Sequence, residues 1–443
     1  MSRAFSSATR LVTSNDELVN SLEGIECTMI ESMYLNNAGN LRRAWLANRR
    51  AMVMAQMMGL HGSVKSSSMF LEEKTRDRID PDYMWFRIVC SDRYLSLMLG
   101  LPQGSPEDTS SDALENFMPV DRMERLESIA SGLILQRNRT ERTDLVATRK
   151  IDKLLLEAAE SMPPDWWVSS NFGTIAGNDG KAFEETIRFM MQIAHHHLLV
   201  QLHLPYMLLP SSISSNYDYS KLAAANASRA IITQYISFYD SISAPAYCRG
   251  IDFIAFIAST TLCLAHIESR RQFKDSVTFF QSLEHQRSGD RGSLERLLAI
   301  MERMAGESSD VVARKISSIL QPLLDIEDNS FKGSCYQICA SEAVEPESRC
   351  IGQTKEAVHE LRIQIPHYGI IVIEHRPQSH TLPHTSIINP SVLEPIPSHD
   401  VVPGQAAPWA FGSLPGLEFD EHDWALQGVD MALFGNLTGQ GLS

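Results

Sequence analysis

The chain has 443 residues, of which 54 are acidic and 39 are basic, so its formal net charge at pH 7 is −15. Hydrophobic residues make up 44% and charged residues 21% of the sequence, which is typical of a globular protein rather than a disordered or fibrous one. The acidic excess argues against nucleic-acid binding over most of the surface, because phosphate binding needs clustered lysines and arginines. The acidic excess does not exclude a short basic module.

The cysteines and the N-terminus favour a soluble intracellular protein. Seven cysteines are scattered along the chain, an odd number, and the first residues lack the apolar core of a signal peptide. We therefore expect reduced thiols. One long apolar run, residues 253–267, is shorter than the roughly 20 residues that a bilayer requires, so we expect no membrane span.

Helical periodicity extends from about residue 14 to residue 325. The first apolar stripe consists of Leu18, Leu22, Ile25, Met29 and Met33, at steps of three and four. Asp80 followed by Pro81 predicts a helix start, and Gly100 followed by Pro102 predicts its end. Further helices are predicted at about 119–134, 143–160, 182–204, 220–239, 251–269, 293–304 and 310–320.

The pattern changes after the helical region. Residues 361–365 and 369–374 are predicted to form the two strands of a small hairpin. Nine of the 20 prolines lie between Pro366 and Pro415, and no lysine or arginine follows Arg376. Because such a segment cannot bury enough apolar surface to offset its ordering entropy, we expect residues 377–416 to be a disordered linker.

The predicted fold class is therefore all-α: a multi-helix bundle with a small β-hairpin and a disordered, proline-rich, acidic C-terminal tail. Its predicted divisions are a disordered N-terminus at 1–13, a helical domain at 14–330, an irregular segment with the hairpin at 331–376, the linker at 377–416 and a final segment at 417–443.

Motifs of enzymes and metal sites are missing from the sequence. It has no GxGxxG, GxxxxGK[ST], HExxH, GxSxG or CxxC pattern, so we predict no enzyme, no catalytic residue, no cofactor and no metal. Cys335 and Cys339, with Cys350 and His359 downstream, are too loosely spaced to favour zinc over a chance grouping. His195, His196 and His197 diverge by about 100° per residue on a helix and cannot converge on one ion.

Two charged groups in the helical region favour structural roles. The four arginines Arg42, Arg43, Arg49 and Arg50 could contact phosphate, but a solvated or salt-bridged helix face is the more usual meaning of such a group. Asp92 and Arg93 are neighbours on a helix and do not face each other, so each is expected to bind a partner elsewhere in the bundle.

The last segment has the composition of an activation region. Its bulky residues are Leu417, Phe419, Trp424, Leu426, Val429, Met431, Leu433, Phe434 and Leu437, and they alternate with five carboxylates. Such acidic-hydrophobic alternation keeps aromatic side chains accessible to a partner's apolar groove. We predict activation contacts at Phe419, Trp424, Leu426 and Phe434; the alternative is a C-terminal helix docked on the protein's own core.

Several strings resemble the middle regulatory domain of fungal zinc binuclear cluster transcription factors. They are Asn40–His61, Asp80–Asp108, His195–Leu208, Ser220–Tyr235 and Cys248–Ile267. The most specific string holds the family-motif residues Trp85, Asp92, Arg93, Gly100 and Pro102. The resemblance covers about residues 20–270, and the segment from Trp424 to Phe434 also resembles the C-terminus of such factors.

The resemblance implies an all-α regulatory domain of a nuclear transcription regulator, of a kind that often controls a biosynthetic gene cluster. Its tail would contact transcription machinery or coactivators. The family's six-cysteine zinc module cannot form here, because only Cys27 precedes Cys90. Direct DNA binding is therefore doubtful, and we expect either a truncated product or a regulator that reaches promoters through a partner. The expected protein partner is a DNA-binding protein or, in a homodimer, a second copy of the chain. The alternative function is a helical protein that senses a small molecule without catalysis.

Overall fold

The computed structural model describes residues 2–62, 75, 78–105, 111–169, 179–209, 217–241, 248–271, 279–307, 310–341 and 360–376. The predicted linker and activation segment, including Phe419, Trp424, Leu426 and Phe434, lie outside the described residues, as do Cys350 and His359.

Within these ranges, twelve α-helices precede a small sheet. The helices are α1 (Ser2–Ala8), α2 (Asp16–Val19), α3 (Leu22–Asn37), α4 (Leu41–Met57), α5 (Pro81–Leu99), α6 (Pro119–Thr140), α7 (Leu145–Glu160), α8 (Asp179–Met207), α9 (Asp218–Ser241), α10 (Gly250–Arg271), α11 (Phe279–Glu307) and α12 (Val311–Phe331). The strands are β1 (Cys335–Ser341), β2 (Glu360–Ile365) and β3 (Gly369–Arg376). The predicted all-α bundle is confirmed.

Aspartates cap several helices at their starts. The side chains of Asp80, Asp144 and Asp310 each accept hydrogen bonds from two backbone N–H groups at the beginning of α5, α7 and α12. These groups have no intrahelical partner, so the caps fix where the helices begin. Helix α5 ends at Gly100, which adopts the left-handed conformation with φ +70°, as the sequence predicts.

Helix α10 lies at the centre of the bundle. Its side chains from Ile251 to Ser269 are all buried, as expected for a helix with no polar face. The helix is longer than the apolar run predicted from sequence, and its stretch Gly250–Arg270 is long and apolar enough to cross a membrane. The expectation that this segment is too short to span a bilayer is therefore wrong. Every residue of its most apolar stretch is instead buried inside the protein.

The sheet has three strands rather than the two of the predicted hairpin. β2 and β3 form that hairpin, and β1 pairs antiparallel with the other edge of β3, giving the order β1-β3-β2. Ile371 and Ile373 of the central strand are fully buried. The sequence of β1 does not predict a strand, because its alternation is weak and its paired residues in β3 lie 29 to 41 positions further along the chain.

Two further expectations need correction. The first thirteen residues are not disordered: α1 and the turn Thr9–Thr13 are helical, and Phe5 stacks on Tyr34 with ring centroids 4.2 Å apart. Helix α8 also continues past Pro205 to Met207. The carbonyl of Gln201, which proline leaves without its helical donor, accepts a hydrogen bond from the Tyr368 hydroxyl at 2.7 Å.

Alanine substitutions at Gly100 and Gly59 separate backbone strain from steric crowding. Both glycines have positive φ, +70° and +80°, but a Cβ at Gly100 would lie 3.0 Å from the backbone nitrogen of His367, whereas nothing lies within 4 Å at Gly59. We expect Gly59→Ala to cost about 1–2 kcal/mol of stability and Gly100→Ala to cost more. Denaturant unfolding followed by far-UV circular dichroism measures both; equal losses would contradict the crowding at the end of α5.

Candidate functional site: the motif helix and the cavities beside helix α8

Asp92 joins α5 to α4 and to the loop after α5. Its carboxylate is buried and lies 2.7 Å from the Arg49 guanidinium, and it accepts a hydrogen bond of 2.7 Å from the backbone N–H of Gly104. Burial raises the pKa of Asp92, while these two contacts oppose the rise. Arg49 also stacks on Trp45 at 4.6 Å, so this member of the arginine group has an internal structural role.

Arg93 points away from Asp92 and joins α5 to α6. Its guanidinium donates to the carbonyl of Ser128 at 2.8 Å. A Cβ on Gly132 would lie 2.8 Å from the guanidinium carbon of Arg93, so the missing side chain makes room for it. Successive residues of one helix thus connect it to two different neighbours, as the 100° rotation per residue requires.

The remaining motif residues lie at the two ends of α5. Trp85 packs against a hydrophobic cluster that includes Ile25 of α3 and Met52 of α4. At the other end, the Ser96 hydroxyl donates to the carbonyl of Pro102 and accepts from the Trp45 indole at 3.1 Å. Gly100 ends the helix beside the backbone of His367. These positions join helices, and they do not line either of the two cavities described below.

The three consecutive histidines of α8 point in different directions. His195 contacts Glu127 of α6, with Nδ1 2.9 Å from a carboxyl oxygen. Burial lowers the pKa of His195 to about 4 and raises that of Glu127 well above its ordinary value. Both shifts favour a neutral pair, in which the Glu127 carboxyl donates to the His195 imidazole.

A cavity of about 510 Å³ lies between α7, α8 and α9. His195 and His196 line it from α8, and the buried Nδ1 atom of His196 has no hydrogen-bond partner within the described residues. Its other lining residues include Arg149, Asp152, Lys153, Leu155, Leu156, Ala159, Leu199, Tyr219, Ala223, Asn226 and Ala227. We call this cavity the α7–α9 groove.

A smaller cavity of about 240 Å³ lies between α5, α6 and α8. His197 and Glu127 line it. His197 is buried, and in the described part of the chain neither of its ring nitrogens has a hydrogen-bond partner. Arg87 and Glu124, paired at 3.0 Å, also belong to its wall. Buried polar atoms without partners are unusual in native proteins, and two neighbouring histidines of α8 carry such atoms within the described residues.

A metal site is not assembled in the described ranges: no three histidine, cysteine, aspartate or glutamate side chains are grouped to hold an ion. Cys335 and Cys339 lie four positions apart on β1, which separates their Cα atoms by roughly 13 Å. That separation is too large for shared zinc coordination.

Sequence comparison identifies the family. Residues 3–149 match the fungal specific transcription factor domain. Over 98% of this chain, the sequence is 34% identical to a dehydrocurvularin biosynthesis regulator of Aspergillus terreus, of which the match covers 67%. The chain belongs to the fungal transcription factor family.

Further relatives of this fungal transcription factor match shorter parts of the chain. A dehydrocurvularin biosynthesis regulator of Alternaria cinerariae is 37% identical over 84% of the chain and 48% of its own length. A probable transcription factor of Penicillium aethiopicum is 35% identical over 84% of the chain and 52% of its length. The chain spans two thirds of the first of these relatives and about half of the others. No solved structure matches it.

The sequence of this fungal transcription factor did not predict the Glu127–His195 pair or the α7–α9 groove. One signal for the pair exists: Glu127 lies four positions after Met123 and four before Ser131, on the buried side of α6. A glutamate on such a face must be neutral or paired. Its partner could not be identified, because His195 lies 68 positions away.

The protonation of Glu127 predicts a specific pH dependence for the variant Glu127→Gln. A carboxyl whose pKa rises on folding above its ordinary 4.5 contributes stability at low pH, and that contribution is lost as pH rises toward the folded pKa. Glutamine keeps the donor and cannot ionise. We therefore expect the Tm of Glu127→Gln minus that of the wild type to increase from about pH 5 to about pH 8.

The matched variant Glu127→Ala removes the donor as well as the acid. We expect it to lower Tm throughout that pH range, because it leaves a cavity and an unpaired imidazole nitrogen. Thermal unfolding in a series of buffers measures both variants. A larger Tm loss for Glu127→Gln at about pH 8 than at about pH 5 would show that Glu127 is ionised in the folded protein.

Proposed function

We propose that this protein is a nuclear transcription regulator that controls a biosynthetic gene cluster. The observation that carries the proposal is 34% identity over 98% of the chain to a regulator named for dehydrocurvularin biosynthesis. A second relative with the same name supports it. The pathway in these names, dehydrocurvularin biosynthesis, is that of the two relatives.

The helical region and the tail have different parts in this proposal. The bundle forms a rigid regulatory body held by buried polar contacts such as Asp92 with Arg49. The tail, residues 417–443, supplies the surface for coactivators or transcription machinery through its aromatic and aliphatic side chains. The proposal assigns no catalytic reaction to the protein.

A second candidate function is the sensing of a small molecule without catalysis. The α7–α9 groove favours it, because its volume of about 510 Å³ is in the usual range for binding sites of small ligands. Sensing and transcriptional regulation are compatible, since ligand binding to the bundle can shift the populations of regulatory states.

The activation role predicts the behaviour of the isolated tail. Fused to a heterologous DNA-binding domain, the linker and the tail together, residues 377–443, should raise reporter transcription in a fungal host. Replacing Trp424, Leu426 and Phe434 together by alanine should abolish that rise, because a coactivator groove binds the apolar side chains; Phe419→Ala should weaken it. Reporter output at matched protein level is the measurement.

Linker variants provide the control for this experiment. Glu394→Asp and Asp400→Glu keep the negative charge at each position, and they should leave reporter output unchanged. Inactive wild-type tail at normal expression, or full output from the triple alanine variant, would contradict the activation role.

Nuclear localisation is tested separately with a fluorescent fusion of the full chain in a filamentous fungus. We expect the fluorescence to coincide with a DNA stain. Uniform cytoplasmic fluorescence under conditions that induce secondary metabolism would contradict a nuclear role.

A further inference from the structure

The α7–α9 groove combines an apolar floor with a cationic rim. Its floor is formed by leucines and alanines of all three helices, namely Leu155, Leu156, Ala159, Leu199, Ala223 and Ala227. Leu156 is 59% exposed, although it belongs to a helix whose other apolar face is packed in the core. An exposed leucine beside small residues leaves apolar surface that a ligand can cover.

The lining of the groove holds two cationic side chains and one carboxylate. Arg149 and Lys153 are exposed, lie one helical turn apart on α7, and make no ion pair within the described part of the chain. The single carboxylate in the lining, Asp152, is engaged on both oxygens: it accepts from the Tyr219 hydroxyl at 2.5 Å and lies 3.3 Å from His203. The groove therefore presents two available cations and a carboxylate that is already hydrogen-bonded.

The histidine wall adds no charge to the groove. His196 has a buried Nδ1 atom with no partner in the described ranges, and burial lowers its pKa to about 3, so the ring is neutral. His195 is neutral for the same reason. The charge of the groove is therefore set by Arg149, Lys153 and Asp152.

We propose that the α7–α9 groove binds a small amphipathic organic anion, with an apolar body on the leucine and alanine floor and a carboxylate between Arg149 and Lys153. A neutral ligand would leave the two cations without a partner, and a cationic ligand would be repelled by them. An inorganic anion would leave the apolar floor exposed. This inference gives the sensing role proposed above its site and its ligand chemistry.

Three naphthalene probes with the same ring system test the proposal on the full chain. They are 2-naphthoate, the uncharged 2-naphthalenemethanol and the cationic 2-naphthylmethylammonium, each titrated by isothermal calorimetry. We expect 2-naphthoate to bind about tenfold more tightly than the alcohol, because two partly exposed cations contribute modestly, and the ammonium to bind most weakly. Equal affinities for the three probes, or no binding by any of them, would overturn the proposal.

Charge variants locate the anion. In Arg149→Gln/Lys153→Gln, the affinity for 2-naphthoate should fall to that of the alcohol, while the affinity for the alcohol stays the same. Lys150→Gln is the matched control, because Lys150 is an exposed cation on the same helix that does not line the groove; it should change neither affinity by more than about twofold. Equal effects of the two variants would overturn the assignment.

Apolar variants locate the ring system. Ala223→Leu fills the floor and should abolish binding of both 2-naphthoate and the alcohol. Because a buried leucine can disturb folding, the exposed Leu156→Ala provides an independent variant, and it should weaken both probes several-fold. Unchanged binding in Leu156→Ala, with an unaltered circular dichroism spectrum, would place the probes elsewhere.

The acidic tail of the same chain is the competing occupant. In the full-length variant with Trp424, Leu426 and Phe434 replaced by alanine, we expect the same affinity for 2-naphthoate as in the wild type. A clear gain of affinity would assign the groove to the tail and overturn the small-molecule proposal. These binding measurements do not depend on reporter output, so they fail separately from the transcriptional role.

Discussion

Desolvation of polar side chains is the constraint on which this bundle depends. A buried ionised or hydrogen-bonding group costs several kcal/mol unless it finds a partner, and several of the partners here lie on other helices. Asp92 requires both Arg49 and the N–H of Gly104, and Arg93 requires the carbonyl of Ser128. The positions of α4, α5 and α6 relative to one another follow from these pairings as much as from the apolar contacts around them.

The same constraint links the helices on the other side of the bundle. Arg137 of α6 donates to the carbonyl of Leu202 at 2.7 Å and to the Thr148 hydroxyl at 2.9 Å, joining α6 to α8 and α7. Burial lowers the pKa of Arg137. Tyr368, from the turn between β2 and β3, then satisfies the Gln201 carbonyl that Pro205 leaves open. This hydrogen bond to α8 adds to the apolar packing of the sheet against the core.

The histidines of α8 depart from this pattern, and their departure is informative. His195 contacts Glu127, whereas buried ring nitrogens of His196 and His197 have no hydrogen-bond partner within the described residues. Neutral imidazoles tolerate burial better than charged groups, which explains why the arrangement is compatible with folding.

The sequence by itself determined the helical class, the capped start of α5 at Asp80, its end at Gly100 and the hairpin of β2 with β3, because these features depend on residues close together in the chain. It also determined the resemblance to fungal transcription factors through local strings such as Trp85 to Pro102. Only the tertiary structure decided the third strand, the neutral Glu127–His195 pair and the α7–α9 groove. Each of these requires segments far apart in sequence, and their burial and pairing exist only after the helices have packed.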